Sequence, residues 1–284
     1  MKKKVIIFIA LFLLILSFFL LWRYYPSLFH RESSRKASPA AADISGISSP
    51  VTLKIDRFEE GWPVEQTGDT LLSSPGYTLS YDEDEEQAAW VAYVLTSADV
   101  SGGGEERTDN FRSDTRVLTG SATPDDYKGS GYDRGHLAPA ADMGWSASAM
   151  SESFLMSNMS PQVPAFNRGI WKKLEEQVRD WAVDCDSVYV ITGPVLNSCP
   201  SHIGKNEVGV PEYYFKVILD LSPPNKMIAF LLPNAGSKAS IYHYAITVDS
   251  LETFTGYDFF AGINDKASVD RLESCSDTTL WILK

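Results

Sequence analysis

Apolar and polar residues follow several different rhythms along the chain. Val5–Trp22 (VIIFIALFLLILSFFLLW) has no alternation: Ser17 is its only polar residue, Lys2, Lys3 and Lys4 precede it, and Arg23 closes it. A helix of that length, at about 1.5 Å per residue, reaches about 27 Å, the thickness of a bilayer core. Residues 31–50 (RESSRKASPAAADISGISSP) are rich in Ser, Ala and Pro without an apolar period, the pattern of a flexible tether. The expected organisation is a cytoplasmic tail at 1–4, a transmembrane signal anchor at 5–22, a flexible tether at 23–70 and a folded domain at 71–284.

Within the domain the periods shorten. The acidic run Asp82–Glu86 reads as a solvated turn before the apolar run Ala88–Leu95. Ser187–Thr192, Glu212–Leu221 and Met227–Leu232 have the length and the branched or aromatic content of strands, and Phe154–Met159 has the same look. Pro223-Pro224-Asn225 predicts a turn that makes the last two long strands an antiparallel hairpin. Asn167–Val183 reads as a helix with Ile170, Leu174, Val178 and Trp181 on one stripe. Val248–Phe254 reads as a second helix, capped by Asp249 or Ser250 and closed by Gly256. Strands outnumber helices and do not alternate regularly with them, which predicts an α+β fold on an antiparallel sheet core.

Charge sharpens the picture. The formal net charge is -12; residues 1–36 hold seven Lys/Arg and one acid, leaving 18 Lys/Arg against 36 Asp/Glu. So acidic a domain is a poor candidate for a sequence-reading DNA-binding protein, because phosphate affinity comes largely from Lys and Arg. It does not exclude an enzyme that holds one phosphate with a metal ion and a few local arginines. Cys185, Cys199 and Cys275 lack zinc-ligand spacing and suggest at most one disulfide, in an oxidising compartment. A cleaved secretory signal is the alternative reading of the apolar stretch, although its length and its bulky end at Trp22, Tyr24 and Tyr25 favour an anchor.

Asp133-Arg134-Gly135-His136 stands out because a histidine in a polar, Gly-flanked stretch has little hydrophobic reason to be there. Gly135 lets the backbone turn closely, and Asp133 and Arg134 can pair to fix the loop. On the helix that follows, at about 100° per residue, Asn167, Glu175 and Arg179 fall at about 0°, 80° and 120° while the apolar stripe centres at about 330°. An amide, a carboxylate and a guanidinium therefore share one flank. An ordinary Glu/Arg i,i+4 pair and a helix cap account for the same residues, so pattern alone leaves both readings open. Trp171 borders the stripe and reads as core; His202 and His243 read as structural or surface residues.

The ordered strings Tyr132-Asp133-Arg134-Gly135-His136-Leu137-Ala138-Pro139, Asn158-Met159-Ser160-Pro161-Gln162 and Asn167 through Trp171 and Leu174 to Glu175 resemble the DNA/RNA non-specific endonuclease family, over roughly residues 75–265. The resemblance implies a ββα-metal (His-Me finger) active site that hydrolyses DNA and RNA, without sequence preference, to 5′-phosphate products. It implies His136 as general base and Asn167 as ligand of one Mg²⁺, with Mn²⁺ as the alternative ion. Glu175 matches a carboxylate that orients water at the metal. Arg134 and Arg179 fall in the catalytic set. Arg107 is the candidate for an upstream phosphate-binding arginine, with Arg112 and Arg116 nearby. Asp133, Asn158 and Gln162 match supporting positions. The partners expected are DNA, RNA and a membrane through residues 5–22, and the family also admits a homodimer and an inhibitor protein. A nuclease would endanger its own cytoplasm, which places the domain outside the membrane, or free of it if the stretch is cleaved. Two other readings compete: a degenerate homologue that binds without cleaving, and a surface interaction domain on a membrane anchor.

Overall fold

Strands with a branched or aromatic residue at nearly every position need cover on both faces, and the long strands here have it. The computed structural model describes residues 50–281 apart from 54, 56, 65–69, 103, 198 and 276. The expected tail at 1–4, the span at 5–22 and the tether as far as residue 49 lie outside the described residues. Among the described residues no helix is long and apolar enough to cross a membrane.

The chain runs β1 (Thr70–Ser73), β2 (Thr78–Asp82), β3 (Gln87–Thr96), α1 (Ser97–Gly102), α2 (Pro124–Tyr127), β4 (Asp133–His136), α3 (Ala147–Glu152) and β5 (Met159–Gln162). A π-helical turn (Phe166–Trp171) follows, then α4 (Lys172–Asp184), β6 (Ser187–Pro194), β7 (His202–Ile203), β8 (Val208–Gly209), β9 (Tyr213–Asp220), β10 (Met227–Pro233), β11 (Ala245–Ile246), α5 (Val248–Thr255) and α6 (Lys266–Glu273). Seven strands form one sheet in the order β1-β2-β3-β6-β9-β10-β11, every neighbouring pair antiparallel. The fold is the expected α+β class.

Alternation along the central strands splits the core in two. Tyr93, Val190, Ile218 and Phe230 point to one face, under Leu174, Val178 and Trp181 of α4. Trp90, Tyr189, Val217 and Leu219 point to the other, under Val248 and Leu251 of α5 and Val269 and Leu272 of α6.

Order begins well before the expected boundary at Leu71. Val51 and Leu53 are buried in the second core layer, the Leu53 N–H donates to Asn225 Oδ1 at 2.7 Å, and Tyr189 Oη donates to the carbonyl of Phe58 at 2.8 Å. The Val51/Leu53 alternation is too brief to stand out against the Ser- and Pro-rich stretch before it.

Phe154–Met159 is not a strand. Leu155 makes an isolated bridge with Arg112, and Met156–Asn158 form a 3-10 turn. Polar side chains decide it: Ser157 Oγ donates to Asp114 Oδ2 at 2.7 Å, and Asn158 Nδ2 donates to the carbonyls of Ala138 and Ser153, so side-chain bonds to neighbouring segments replace a ladder. Helix α5 is capped by Thr247, whose Oγ1 accepts the Ser250 N–H at 3.0 Å, rather than by Asp249 or Ser250; Gly256, at φ 82°, closes it as expected. The hairpin of β9 and β10 is present, and the three cysteines are free thiols.

Candidate active site

Strands β4 and β5 pair antiparallel, Asp133 with Gln162 and His136 with Met159, and the chain then enters the π-helical turn and α4. This hairpin-plus-helix unit carries all three motif strings. Gly135 is required by a close approach: a Cβ there would run into the Gln162 side chain. Gln162 is fully buried against it, with neither amide atom hydrogen-bonded. Asn158, also fully buried, holds the strand leaving His136. Its Oδ1 accepts the Ala138 N–H at 2.9 Å, and its Nδ2 donates to the carbonyls of Ala138 at 2.9 Å and Ser153 at 2.8 Å.

Neighbouring side chains on a strand face opposite ways, so Asp133 and Arg134 do not pair as expected. Asp133 instead accepts from Arg168 at 2.8 and 2.6 Å and from Asn167 Nδ2 at 3.0 Å. Burial works against its charge, but these bonds outweigh it and hold the carboxyl below the usual carboxylate range. The consequence falls on Asn167: with Nδ2 committed to Asp133, Oδ1 is the atom left to act as a ligand. The Arg134 guanidinium lies 4.0 Å over the Phe111 ring.

The His136 ring meets Phe154 edge-on with centroids 4.9 Å apart, and Phe111 at 5.8 Å. Its Nε2 is sealed from solvent and has no partner. Burial, then the charges of Arg107 and Arg134, pull its pKa down to about 3. The imidazole is therefore uncharged at neutral pH, the state a proton acceptor needs.

The expected continuous helix over Asn167–Val183 is broken. Backbone at Gly169 is non-helical, Phe166–Trp171 form a π-helical turn, and the α-helix proper starts at Lys172. Spacing by 100° steps therefore fails across the turn, yet Asn167, Glu175 and Arg179 still line one cleft of about 370 Å³ together with Arg107, Arg134 and His136. Arg168 and Lys172 complete its polar wall, so five cations and one carboxylate face the space. A local cationic cleft resolves the conflict between an acidic domain and a polyanionic ligand. Of the three upstream arginines, Arg107 lines it. Arg112 is bonded to the carbonyls of Asn110 and Ser151, and Arg116 to Asp114 and the Ser73 carbonyl.

Beneath the cleft Glu175 and Arg179 belong to a buried charge cluster whose other members, Asp142, Tyr93 and Lys216, lie outside the motifs. Arg179 donates to Asp142 Oδ1 at 2.8 Å, and Tyr93 Oη donates to Asp142 Oδ2 at 2.8 Å. Lys216 is fully buried, its Nζ 4.7 Å over the Trp171 ring and without a hydrogen-bond partner. Burial raises the Glu175 carboxyl and lowers the Lys216 ammonium, and each partner's charge opposes the other's shift. The signal for Lys216 was available: it alternates with Tyr214 and Ile218 on the inward face of β9. Phe111, Phe154 and Asp142 carry no comparable signal, because each reaches the site from a loop or a short turn.

A family model for DNA/RNA non-specific endonucleases matches residues 56–266. A nuclease of Nostoc sp. is 36% identical over 216 residues, which cover 71% of this chain and 77% of that protein. Mitochondrial endonuclease G of Homo sapiens is 36% identical over 213 residues, covering 69% and 71%. The solved structure of the EndoG/EndoGI complex aligns with a TM-score of 0.67 and 32% identity, over 74% of this chain and 91% of that one. The chain therefore belongs to the DNA/RNA non-specific endonuclease family, and it is a nucleic-acid-hydrolysing endonuclease.

Proposed function

We propose that the protein is a Mg²⁺-dependent, sugar-nonspecific endonuclease that cuts DNA and RNA to 5′-phosphate products, with His136 as general base. One observation carries this reading: His136 lines the same cationic cleft as the Asn167 amide and the Glu175 carboxylate. The donor set fits a hard divalent cation, because Asn167 Oδ1 and Glu175 supply oxygen only. When bound, the cation stabilises charge building on the phosphate and on the departing 3′ oxygen.

The chain's own groups do the rest. With the proton on the sealed Nε2, His136 Nδ1 carries the lone pair and takes a proton from the attacking water as its oxygen bonds to phosphorus. The P–O3′ bond breaks, and the 3′ oxygen is protonated from solvent. Arg107, Arg134 and Arg179 offset phosphate charge. Contacts to phosphate carry no sequence information, and the cations of the cleft match a charge that DNA and RNA share. The apolar stretch 5–22 is long enough to span and supports tethering to a membrane; with basic residues on both sides of it, the placing of the enzyme outside rests on the danger a nuclease poses to its own cytoplasm.

The test incubates purified protein with plasmid and with RNA, in Mg²⁺ or EDTA, beside His136→Ala. The reading expects cleavage of both substrates by wild type in Mg²⁺ alone, with ends that take a label from polynucleotide kinase only after phosphatase treatment. Equal, metal-independent results for the two proteins would sink it.

A further inference from the structure

Glu273 is the last residue of α6, 5% exposed, and its carboxylate Oε1 meets no donor. An acid at the end of a helix also faces the negative pole of the helix dipole. Its surroundings add to the cost. Asp249 and Glu252, one turn apart on α5, each bring a carboxylate oxygen within 4.8 Å of one from Glu273, and the three are within 4.8 Å of one another. Burial, then the charges of Glu252, Asp249, Asp258 and Asp270, push Glu273 up to about 8. Glu252 Oε1 accepts the Phe259 N–H at 2.8 Å, which fixes that side chain and leaves Oε2 available. Asp249 is exposed, so the cluster opens to solvent.

We propose that Asp249, Glu252 and Glu273 form a second divalent-cation site, of calcium type, that ties α5 to α6 on the sheet face opposite the catalytic cleft. Two independent observations carry it: three converging carboxylates, and a buried carboxylate oxygen among them that lacks any partner. The donors are oxygen only, which selects a hard cation. Ca²⁺ accepts six to eight oxygens at about 2.3–2.6 Å in flexible geometry, including bidentate carboxylates, and suits a site assembled from two helices better than Mg²⁺, which demands a near-ideal octahedron. The ion would neutralise the buried charge and fasten together two short helices that pack on the sheet through Val248, Leu251, Val269 and Leu272.

Thermal unfolding of the full-length protein in EDTA, CaCl₂ or MgCl₂ tests the site, with Asn167→Ala separating it from the catalytic cleft. Wild type and Asn167→Ala are expected to melt about 5–10 °C higher with Ca²⁺ at about 100 times its Kd. Glu273→Gln is expected to lose that shift, to melt at or above wild type in EDTA because its buried repulsion is gone, and to keep wild-type nuclease activity in Mg²⁺. Asp249→Asn, at an exposed position, is expected to lose the shift as well. The proposal is overturned if wild type shows no Ca²⁺ shift, which would leave Glu273 as a protonated acid only. It is equally overturned if both substitutions keep the shift, or if Asn167→Ala abolishes it.

Discussion

His136 is held uncharged by its surroundings rather than by a partner. Phe111 and Phe154 exclude water from one side of the ring, and Arg107 and Arg134 disfavour a second positive charge. The same arrangement couples stability to pH. The folded-state value of about 3 lies below the ordinary value of about 6.5, so the unfolded chain binds the proton first. The contribution of the neutral ring is complete above about pH 6.5 and is lost as pH falls toward about 3. Urea unfolding at pH 7, 5 and 4 should show wild type taking up about one proton more than His136→Asn on unfolding near pH 5, a difference of about 1.4 kcal/mol per pH unit. Identical slopes would remove burial as the cause. The polar, Gly-flanked DRGH stretch singled out the histidine, whereas the place of Asn167 ahead of an apolar stripe left a helix cap open, and it was the ordered motif strings that implied a ligand. The direction of the Asp133 side chain was not, because strand assignment of four polar residues cannot be made from a hydrophobic period, and it is the strand that sends Asp133 to Asn167 and Arg134 to Phe111.

At the scale of elements, the site depends on how closely the β4–β5 hairpin folds and on what lies under α4. Gly135→Ala forces a methyl into Gln162, whose neighbours leave no room, and should cost about 1–3 kcal/mol in denaturant unfolding while lowering activity through displacement of His136. An unchanged stability would mean the hairpin tolerates separation. Lys216→Met removes a buried cation and leaves Glu175 and Asp142 with Arg179 alone. A loss of about 3–5 kcal/mol is expected, and the Lys216→Met/Glu175→Gln pair should recover part of it. Additive losses would show that the two groups do not interact. The helix was predicted in place but not in form: Ile170, Leu174, Val178 and Trp181 are all buried as their spacing requires, yet the π-helical turn at Phe166–Trp171 carries no signature in that spacing. Asn167, inside the turn, and Glu175 and Arg179, beyond it, nonetheless line the same cleft.

For the whole molecule, the sheet separates two tasks. One face supports α4 and the cationic cleft, and the other is closed by Val51, Leu53, α5 and α6. Burial of Val51 and Leu53 is worth about 3–6 kcal/mol together, a large part of the roughly 5–15 kcal/mol that keeps a domain folded. A chain begun at residue 71 should therefore melt far lower than one begun at residue 50, or fail to unfold cooperatively; equal midpoints would return residues 51–62 to the tether. If Asn167 holds the metal while His136 moves the proton, the two roles separate in the single-turnover plasmid cleavage rate as a function of Mg²⁺ concentration for wild type, Asn167→Ala and His136→Ala. Asn167→Ala is expected to need far more Mg²⁺ but to regain part of the rate, whereas His136→Ala is expected to stay about 10²–10⁴-fold slow at every concentration. Rescue of His136→Ala by Mg²⁺, or no rescue of Asn167→Ala at any concentration, would contradict that assignment of roles.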